Sequence, residues 1–409
     1  MDHLLSFNVN LNPEKSNYPF RNQYLHVSCS TNNSSFFHYI SDNRGFFIWK
    51  SPNADYQQTY EKLLENNFCA ELLDHVQDNF EFIFFDLSKQ TLIIGKDSLG
   101  LYSLVYTEDP FIISSHDLQG NEHPPGFTIF NNNSKSIIAY PQFTRNPDPS
   151  LTIESTMSHL MNTLIHSVIP GSPVLFSGGL DSTLIAAALA LSGAPEVELI
   201  NFCALDTAPD RASSRASLVD LQRSFPNTKF TLHEYTGDIL EMANERSLIK
   251  SLLVPTSVTE MNLNIAMTLY SALKHSNSSI VHSGLGADEL CCGYMRMKEG
   301  ATADAEIVEH MNRLWTRNGG RDDRVAMHLG KVCICPFLSK KFIEAASKLP
   351  VEMLIKEDLP RGCGEKWILR KIAEKYGLKQ AAERPKQAMQ FGSKVAKAKW
   401  RGDEEIPES

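Results

Sequence analysis

Residues Ser177 to Ser182 read Ser-Gly-Gly-Leu-Asp-Ser and follow the apolar run Val174-Leu175-Phe176. A buried strand followed at once by two glycines can turn tightly and bring its backbone close to a ligand. Backbone N–H groups and the hydroxyls of Ser177 and Ser182 then face one concavity at the start of a helix, an arrangement that favours phosphate oxygens. An acidic residue is out of place in a simple anion cradle. Asp181 fits if a divalent cation bridges it to the phosphates. The structural alternative is a glycine turn with Asp181 or Ser182 capping the next helix.

Around this loop the second half of the chain alternates strands and helices. Helices are expected over Leu151–Val168, Thr183–Leu191 and Ser213–Phe225, and strands at Val174–Phe176, Val197–Phe202, Phe230–Tyr235 and Ile280–His282. Such alternation predicts a parallel sheet covered on both faces, with ligands beyond the carboxyl ends of its strands. Ser177 and Ser283 both follow strands at that edge, so their loops are expected to converge. From about Glu306 the sequence reads as mostly helical.

The first half has a different grammar. Phe46–Trp49, Phe80–Phe85, Thr91–Gly95 and Phe111–Ile113 are short aromatic and β-branched runs, expected as strands. Asp86–Gln90 reads as a hairpin turn, Gln58–Val76 as a helix and Phe143–Ser150 as a linker. Two domains, 1–148 and 149–409, suit a chain of 409 residues.

Composition narrows the function classes. Net charge is −9, with 39 basic against 48 acidic residues, and a nucleic-acid binder usually shows the opposite excess. No segment approaches the roughly 20 apolar residues of a membrane span. The N-terminal stretch Met1–Ser6 lacks a basic region followed by an apolar core. A cytoplasmic protein that binds neither nucleic acid nor membrane is expected. The eight cysteines, including Cys291-Cys292 and Cys333-x-Cys335, match no zinc spacing and are read as reduced thiols. Asn33-Ser34-Ser35 and Asn277-Ser278-Ser279 fit the glycosylation sequon, without a secretory context to use it.

Two further segments bear on chemistry. Ser283-Gly284-Leu285-Gly286-Ala287-Asp288-Glu289 repeats the strand–glycine–carboxylate pattern, so that Asp181 and Asp288 together could hold Mg²⁺ against a pyrophosphate. The bland reading makes Asp288 and Glu289 first-turn residues favoured by the helix dipole. Arg384-Pro385-Lys386 supplies a cation for charge developing on departing phosphates. Its bland reading is a solvated basic helix, since Lys394, Lys397, Lys399 and Arg401 follow.

Together these pieces resemble the synthetase domain of asparagine synthetases. They include Pro336-Phe337-Leu338 with Lys340-Lys341-Phe342, Gly364-Glu365-Lys366-Trp367-Ile368-Leu369-Arg370, and Met389-Gln390-Phe391-Gly392-Ser393 after Lys386. Pro209-Asp210-Arg211, Arg321-Asp322-Asp323-Arg324 and Leu359-Pro360-Arg361-Gly362 resemble the asparagine synthetase domain-containing proteins in particular. The resemblance implies a Rossmann-like parallel sheet of the ATP pyrophosphatase (PP-loop) type with a helical C-terminal part. It also implies ATP and Mg²⁺ as cofactors, and an AMP-forming carbon–nitrogen ligase acting on a small, aspartate-like carboxylate. Carried over, Leu175, Ser283 and Gly284 would contact the adenosine. Ser177, Gly178, Gly179 and Ser182 would bind the phosphates, Asp181 and Asp288 the metal, and Lys386 the reacting phosphorus and leaving pyrophosphate. Leu285 stands where the family has a glutamate that handles the incoming ammonia, and leucine transfers no proton. Val332-Cys333-Ile334-Cys335 replaces the family's acidic and basic residues before Pro336, while Asp322 and Asp323 lie in the window for a partner carboxylate. Open alternatives are an ATP-binding member without catalysis that acts through a partner, and a PP-loop ligase with another acceptor. A homo-oligomer or a protein partner stays open too.

Gly95-Lys96-Asp97-Ser98-Leu99-Gly100 with Tyr102-Ser103-Leu104 resembles a segment of class II glutamine amidotransferase domains, and Phe80–Asp86 the strand before it. This implies an Ntn-hydrolase-like antiparallel β-sandwich with helices. Such domains use an N-terminal cysteine as nucleophile. Position 2 here is Asp2, the first cysteine is Cys29, and Lys50-Ser51-Pro52-Asn53 stands where an Asn-Gly pair is expected. A degenerate domain that keeps the fold and has lost glutamine hydrolysis is expected.

Overall fold

A computed structural model describes residues 4–10, 24–30, 37–51, 56–66, 68–73, 76, 79–108, 111–114, 119–131, 134–294, 297, 300–360 and 362–397. Asp2, Asn33 to Ser35, Pro52, Asn53, Arg361, Lys399 and Arg401 lie outside them. The protein is mixed α/β and divides into two compact units. The first comprises 1–144, 254–257 and 309–332; the second comprises 145–253, 258–308 and 333–409.

The first unit contains two sheets. One is six-stranded and antiparallel, built from β3 (Phe37–Ser41), β4 (Gly45–Lys50), β5 (Glu81–Asp86), β6 (Thr91–Lys96), β10 (Gly126–Asn131) and β11 (Ser134–Ala139), in the order β11-β10-β6-β5-β4-β3. The other has the order β1-β2-β8-β7-β9, from β1 (Leu4–Asn10), β2 (Tyr24–Ser30), β7 (Val105–Glu108), β8 (Phe111–Ser114) and β9 (Asn121–Glu122). It is antiparallel except for the β2–β8 pair. Cys29 lies in β2, opposite Leu5.

Side chains alternate across the six-stranded sheet. Phe46, Ile48, Ile83, Phe85, Leu92 and Ile94 form one buried cluster with Leu104 and Ile113 of the other sheet's segments. Phe47, Trp49, Phe82, Phe84 and Ile93 face the opposite side, with Tyr60 and Leu63 of the helix Tyr56–Glu65. Every residue of β4 and β5 is buried, which is why their sequences are near-continuous apolar runs without a polar face. The helix expected over Gln58–Val76 is shorter. It stops at Glu65, before Asn66-Asn67, and a 3-10 turn follows at Ala70–Leu73. Asparagine side chains compete for backbone partners and favour such breaks.

A charged network lies inside this unit. Lys50 donates to both carboxylate oxygens of Asp323, at 2.9 and 2.7 Å, with Glu81 at 3.5 Å. Arg324 donates to Glu122 (2.6 Å), Ser103 (3.0 Å) and Thr256 (2.5 Å), and Lys96 also pairs with Glu122. The sequence segments 254–257 and 309–332 thus join the unit through buried ions. Asp97 accepts backbone N–H groups from Phe80, Leu99 and Gly100 and so pins the turn after β6.

The second unit is built on a five-stranded sheet of order β14-β13-β12-β15-β16, from β12 (Val174–Leu175), β13 (Glu196–Cys203), β14 (Lys229–Thr236), β15 (Ile280–His282) and β16 (Val332–Ile334). The β12–β13, β12–β15 and β13–β14 pairs are parallel. Two helices start earlier than expected. Leu180–Leu191 begins right after Gly179, placing Asp181 and Ser182 in its first turn. Pro209–Ser224 begins with proline at its first position, where the missing N–H costs nothing. Among the described residues no helix is long and apolar enough to cross a membrane.

Removing one partner of a buried ion pair strands the other, at a cost of about 3–5 kcal/mol. Asp323→Ala is therefore expected to lose on the order of that stability in urea unfolding, whereas the apolar pair Lys50→Met with Asp323→Leu should recover most of it.

Candidate functional site

The site lies in the second unit, at the carboxyl ends of β12 and β15. Phe176 donates its N–H to Ile200 O (2.7 Å), and Asn201 Nδ2 donates to Phe176 O (2.8 Å), so the strand end is held before the turn. Leu175, paired with Ile200, is the last residue of β12. Gly178 has φ +73°, and a Cβ there would stand 2.3 Å from the backbone carbon of Ser213. Only glycine fits that close approach. Ser217 Oγ donates to Gly178 O (2.8 Å), fixing the loop against the helix Pro209–Ser224. The Ser177 and Ser182 hydroxyls lie 3.4 Å apart, and Gly179 N–H donates to Ser177 Oγ (3.2 Å). The two hydroxyls therefore share one side of the turn.

The Ser283 loop meets it. Ser283 N–H donates to Ile334 O (2.8 Å), and a Cβ on Gly284 would lie 3.0 Å from Asp181 Cβ. The two loops do converge, as the strand–loop pattern implies. Beyond Gly286, in the left-handed region at φ +100°, a short helix Ala287–Leu290 carries Asp288 and Glu289.

The two aspartates share one cation, Lys366. Its Nζ lies 2.7 and 2.6 Å from Asp181 Oδ1 and Oδ2 and 2.6 Å from Asp288 Oδ1. Lys386 Nζ sits 2.7 Å from Asp288 Oδ2. Two carboxylates and two ammonium groups thus alternate in a chain from Asp181 to Lys386. Burial opposes ionisation of Asp288, but the two lysines outweigh it and hold its carboxyl below the usual range. For Asp181 burial wins, with Asp288 repulsion adding to it, and its carboxyl is pushed up. Lys366 is almost fully buried; its carboxylates overcome that burial and raise its ammonium above the ordinary lysine range.

Glycine makes room for this chain. A Cβ on Gly293 would fall 1.9 Å from Asp288 Oδ1 and 2.4 Å from Lys366 Cε. Lys366 itself has φ +55° and precedes the helix Trp367–Lys375. On that helix Arg370 donates to the carbonyls of Glu365 (2.8 Å), Gly362 (2.5 Å), Ala382 (2.7 Å) and Arg384 (2.9 Å). Gly362 O also accepts the Lys386 N–H (3.2 Å). One guanidinium therefore joins the segment leading into Lys386 to the Gly362 carbonyl that its N–H meets.

Lys386 also stands 4.5 Å from the centroid of the Tyr294 ring. The Tyr294 hydroxyl donates to Glu289 Oε1 (2.6 Å), whose Oε2 accepts Gly286 N–H (3.1 Å). Beside the Gly178 loop a cavity of about 640 Å³ is lined by Ser213, Ser217, Gln380, Arg384, Lys386 and Gln387, among others. Arg384 pairs with Asp210 at 3.0 Å, and burial pushes the Asp210 carboxyl up to about 6. Among the described residues no group of three or more His, Cys, Asp and Glu is placed to hold a metal.

Of the residues read from sequence, Ser177, Gly178, Gly179, Asp181 and Ser182 form one loop, Ser283, Gly284 and Asp288 the loop against it, and Lys386 reaches the same cluster. Sequence reading assigned no role to Lys366, Arg370, Tyr294 or Glu289. Lys366 and Arg370 sat within a quoted motif, but nothing local marked the lysine as buried between two carboxylates.

The asparagine synthase family pattern matches residues 172–317 and 298–404, more than half of the chain. An asparagine synthetase domain-containing protein of Saccharomyces cerevisiae is 26% identical over 400 residues, 82% of this chain and 74% of that one. Asparagine synthetase domain-containing protein 1 of Bos taurus is 34% identical over 211 residues, 47% of this chain and 33% of that one. Glutamine-hydrolyzing asparagine synthetase of Rattus norvegicus is 24% identical over 425 residues, 87% of this chain and 74% of that one. The chain thus spans about a third of the length of the bovine relative.

With Lys366 replaced by methionine, Asp181 and Asp288 would face each other with Lys386 as their remaining cation. A carboxyl whose folded pKa is raised destabilises the fold as pH rises through the interval between its unfolded and folded values. The Lys366→Met deficit is therefore expected to be small near pH 4 and to grow to about 3–5 kcal/mol by pH 8, read by urea unfolding at each pH.

Proposed function

The chain belongs to the asparagine synthase family, and on that premise we propose that it is an ATP-dependent, AMP-forming carbon–nitrogen ligase. The observation that carries this reading is the meeting of Asp181 and Asp288, from two separate strand ends, over Lys366 and beside Lys386. The Ser177–Ser182 turn, of the PP-loop type, takes the phosphates through its main-chain N–H groups and paired hydroxyls. Leu175, Ser283 and Gly284 flank the adenosine. The ATP-binding domain expected over 149–409 then corresponds to the second compact unit, with 254–257 and 309–332 given to the first, and the first unit is an Ntn-type amidotransferase domain without a glutaminase.

The donor set fits Mg²⁺. It offers two carboxylates close enough to share one cation, and octahedral Mg²⁺ takes one or two carboxylates with phosphate oxygens and waters. Asp181 and Asp288 would hold the ion, which when bound supplies positive charge to the triphosphate oxygens. The chain's own groups do the rest. An oxygen of a small, aspartate-like carboxylate attacks the α-phosphorus, the bond to the bridging oxygen breaks, and pyrophosphate leaves. Lys386 neutralises the charge that builds on the phosphates during this step. An amine nitrogen then attacks the acyl carbon, the carbon–oxygen bond to AMP breaks, and the nitrogen sheds a proton.

Leu285 cannot accept that proton, so the proton must pass to water or to another group. In the first unit, Lys50 is buried on Asp323 where the resemblance expects an Asn-Gly pair. This supports ammonia or another amine, rather than glutamine, as the nitrogen source. Leu285 also favours one second reading, in which the chain binds ATP without turnover and acts through a partner.

Release of AMP and pyrophosphate, screened across carboxylic amino acids with ammonium and with glutamine, separates the two. The ligase reading expects AMP with ammonium, and Lys386→Met should lower kcat by roughly 10²–10³-fold with little change in the KM for ATP. Magnesium-dependent ATP binding that is lost in Asp181→Ala, with no AMP from any acceptor, would establish the second reading instead. Activity with glutamine but not ammonium would overturn the account of the first domain.

A further inference from the structure

Lys386 reaches the reaction centre on a flexible four-carbon stem, its backbone N–H on the Gly362 carbonyl and Pro385 before it. Its ion pair with Asp288 limits the distance of the ammonium from one carboxylate but does not set its direction. Asp288 is not dedicated to it either, since the other oxygen binds Lys366. Any cation or substrate group that draws on Asp288 weakens the hold on Lys386 at the moment when its position matters.

The ring of Tyr294 provides a hold that does not depend on Asp288. The Lys386 ammonium stands 4.5 Å from the ring centroid, within the range in which the quadrupole of an aromatic face attracts a cation. The ring is itself fixed at its far end. The phenol donates to Glu289 Oε1 at 2.6 Å, and the other oxygen of Glu289 accepts the Gly286 N–H at 3.1 Å. Glu289 is buried, at 2% exposure, and a Cβ on Gly286 would lie 2.5 Å from a side-chain carbon of Leu338, so the turn beneath it is closely packed. Through Glu289 the Ser283–Glu289 turn therefore anchors the Tyr294 ring beside the lysine that comes from a different part of the chain.

We propose that Tyr294, held by Glu289, is the positioning residue that keeps the Lys386 ammonium directed at the departing phosphates when Asp288 is engaged elsewhere. This rests on the reading of Lys386 as the cation that faces those phosphates. The ring does the holding and the hydroxyl only orients the ring, so a phenylalanine should retain most of the function.

The test uses the full chain with Tyr294→Leu, Tyr294→Phe and Tyr294→Met, and two readouts. The first is steady-state AMP release. Tyr294→Leu is expected to lower kcat on the order of tenfold with the KM for ATP unchanged, and Tyr294→Phe to restore it to within about threefold. The second needs no turnover. Acetylation of Lys386 by acetic anhydride, followed by peptide mass spectrometry, should be several-fold faster in Tyr294→Leu than in the wild-type chain, and near wild-type in Tyr294→Phe. Should Tyr294→Leu fail to fold, Tyr294→Met, closer in volume and also without a ring, takes its place in both. Unchanged labelling of Lys386 in the ringless variant overturns the proposal, as does a Tyr294→Phe chain as impaired as Tyr294→Leu. If the wild-type chain releases no AMP, the labelling still decides the positioning role, while the ligase reading fails separately.

Discussion

The sharing of one buried ammonium by two carboxylates is the constraint on which the site depends. Asp181 and Asp288 come from the ends of different strands, and two such anions repel each other wherever water is scarce. Lys366 lies within 2.7 Å of both. Its charge permits the close approach of the Ser177 and Ser283 loops, down to contact between Gly284 and the side-chain stem of Asp181. The glycines follow from the same arrangement. Gly178 lets one loop lie flat on a helix, and Gly293 leaves space for the carboxylate and the lysine stem together. The loops are thus set by electrostatics in the middle and by steric room at the edges.

The first unit uses buried charge differently. Lys50, Lys96 and Arg324 meet Glu81, Glu122 and Asp323 in its interior, and the partners come from distant parts of the sequence. Such networks add little net stability over apolar packing. They do impose a definite arrangement, because each misplaced member leaves an unpaired charge. In the second unit's site the alternating chain ends at Lys386, which also meets the face of Tyr294. The first unit's ions instead close on one another and on Ser103 and Thr256.

Local chemistry made part of this legible. Two glycines and an aspartate after a short apolar run announce a tight turn at a strand end, and the same pattern at Ser283 announces the loop that meets it. Alternating strands and helices announce a parallel sheet. Those signals are short-range and survive in one dimension. The helix start at Pro209 was also written in the chain, through proline at the first helical position. Lys366 was not readable in this way. Its role comes from burial between side chains far away in sequence, and a lysine before Trp367 looks like any helix-flanking cation. Tyr294 was hidden for a similar reason, since an aromatic residue after a glycine reads as packing until its ring is seen beneath an ammonium. Within 309–332, which belongs to the first unit, Asp323 and Arg324 are buried ion partners, and Arg-Asp-Asp-Arg shows nothing locally that marks it as buried.

Arg370 has one more implication. Its guanidinium gathers four carbonyls from segments that flank both functional lysines, while Lys366 opens the helix on which Arg370 sits. The backbone segments that carry the two lysines are therefore tied to one helix rather than held by two independent loops. A tilt of that helix would therefore shift the backbone beneath both lysines together, so the two segments are coupled through one side chain.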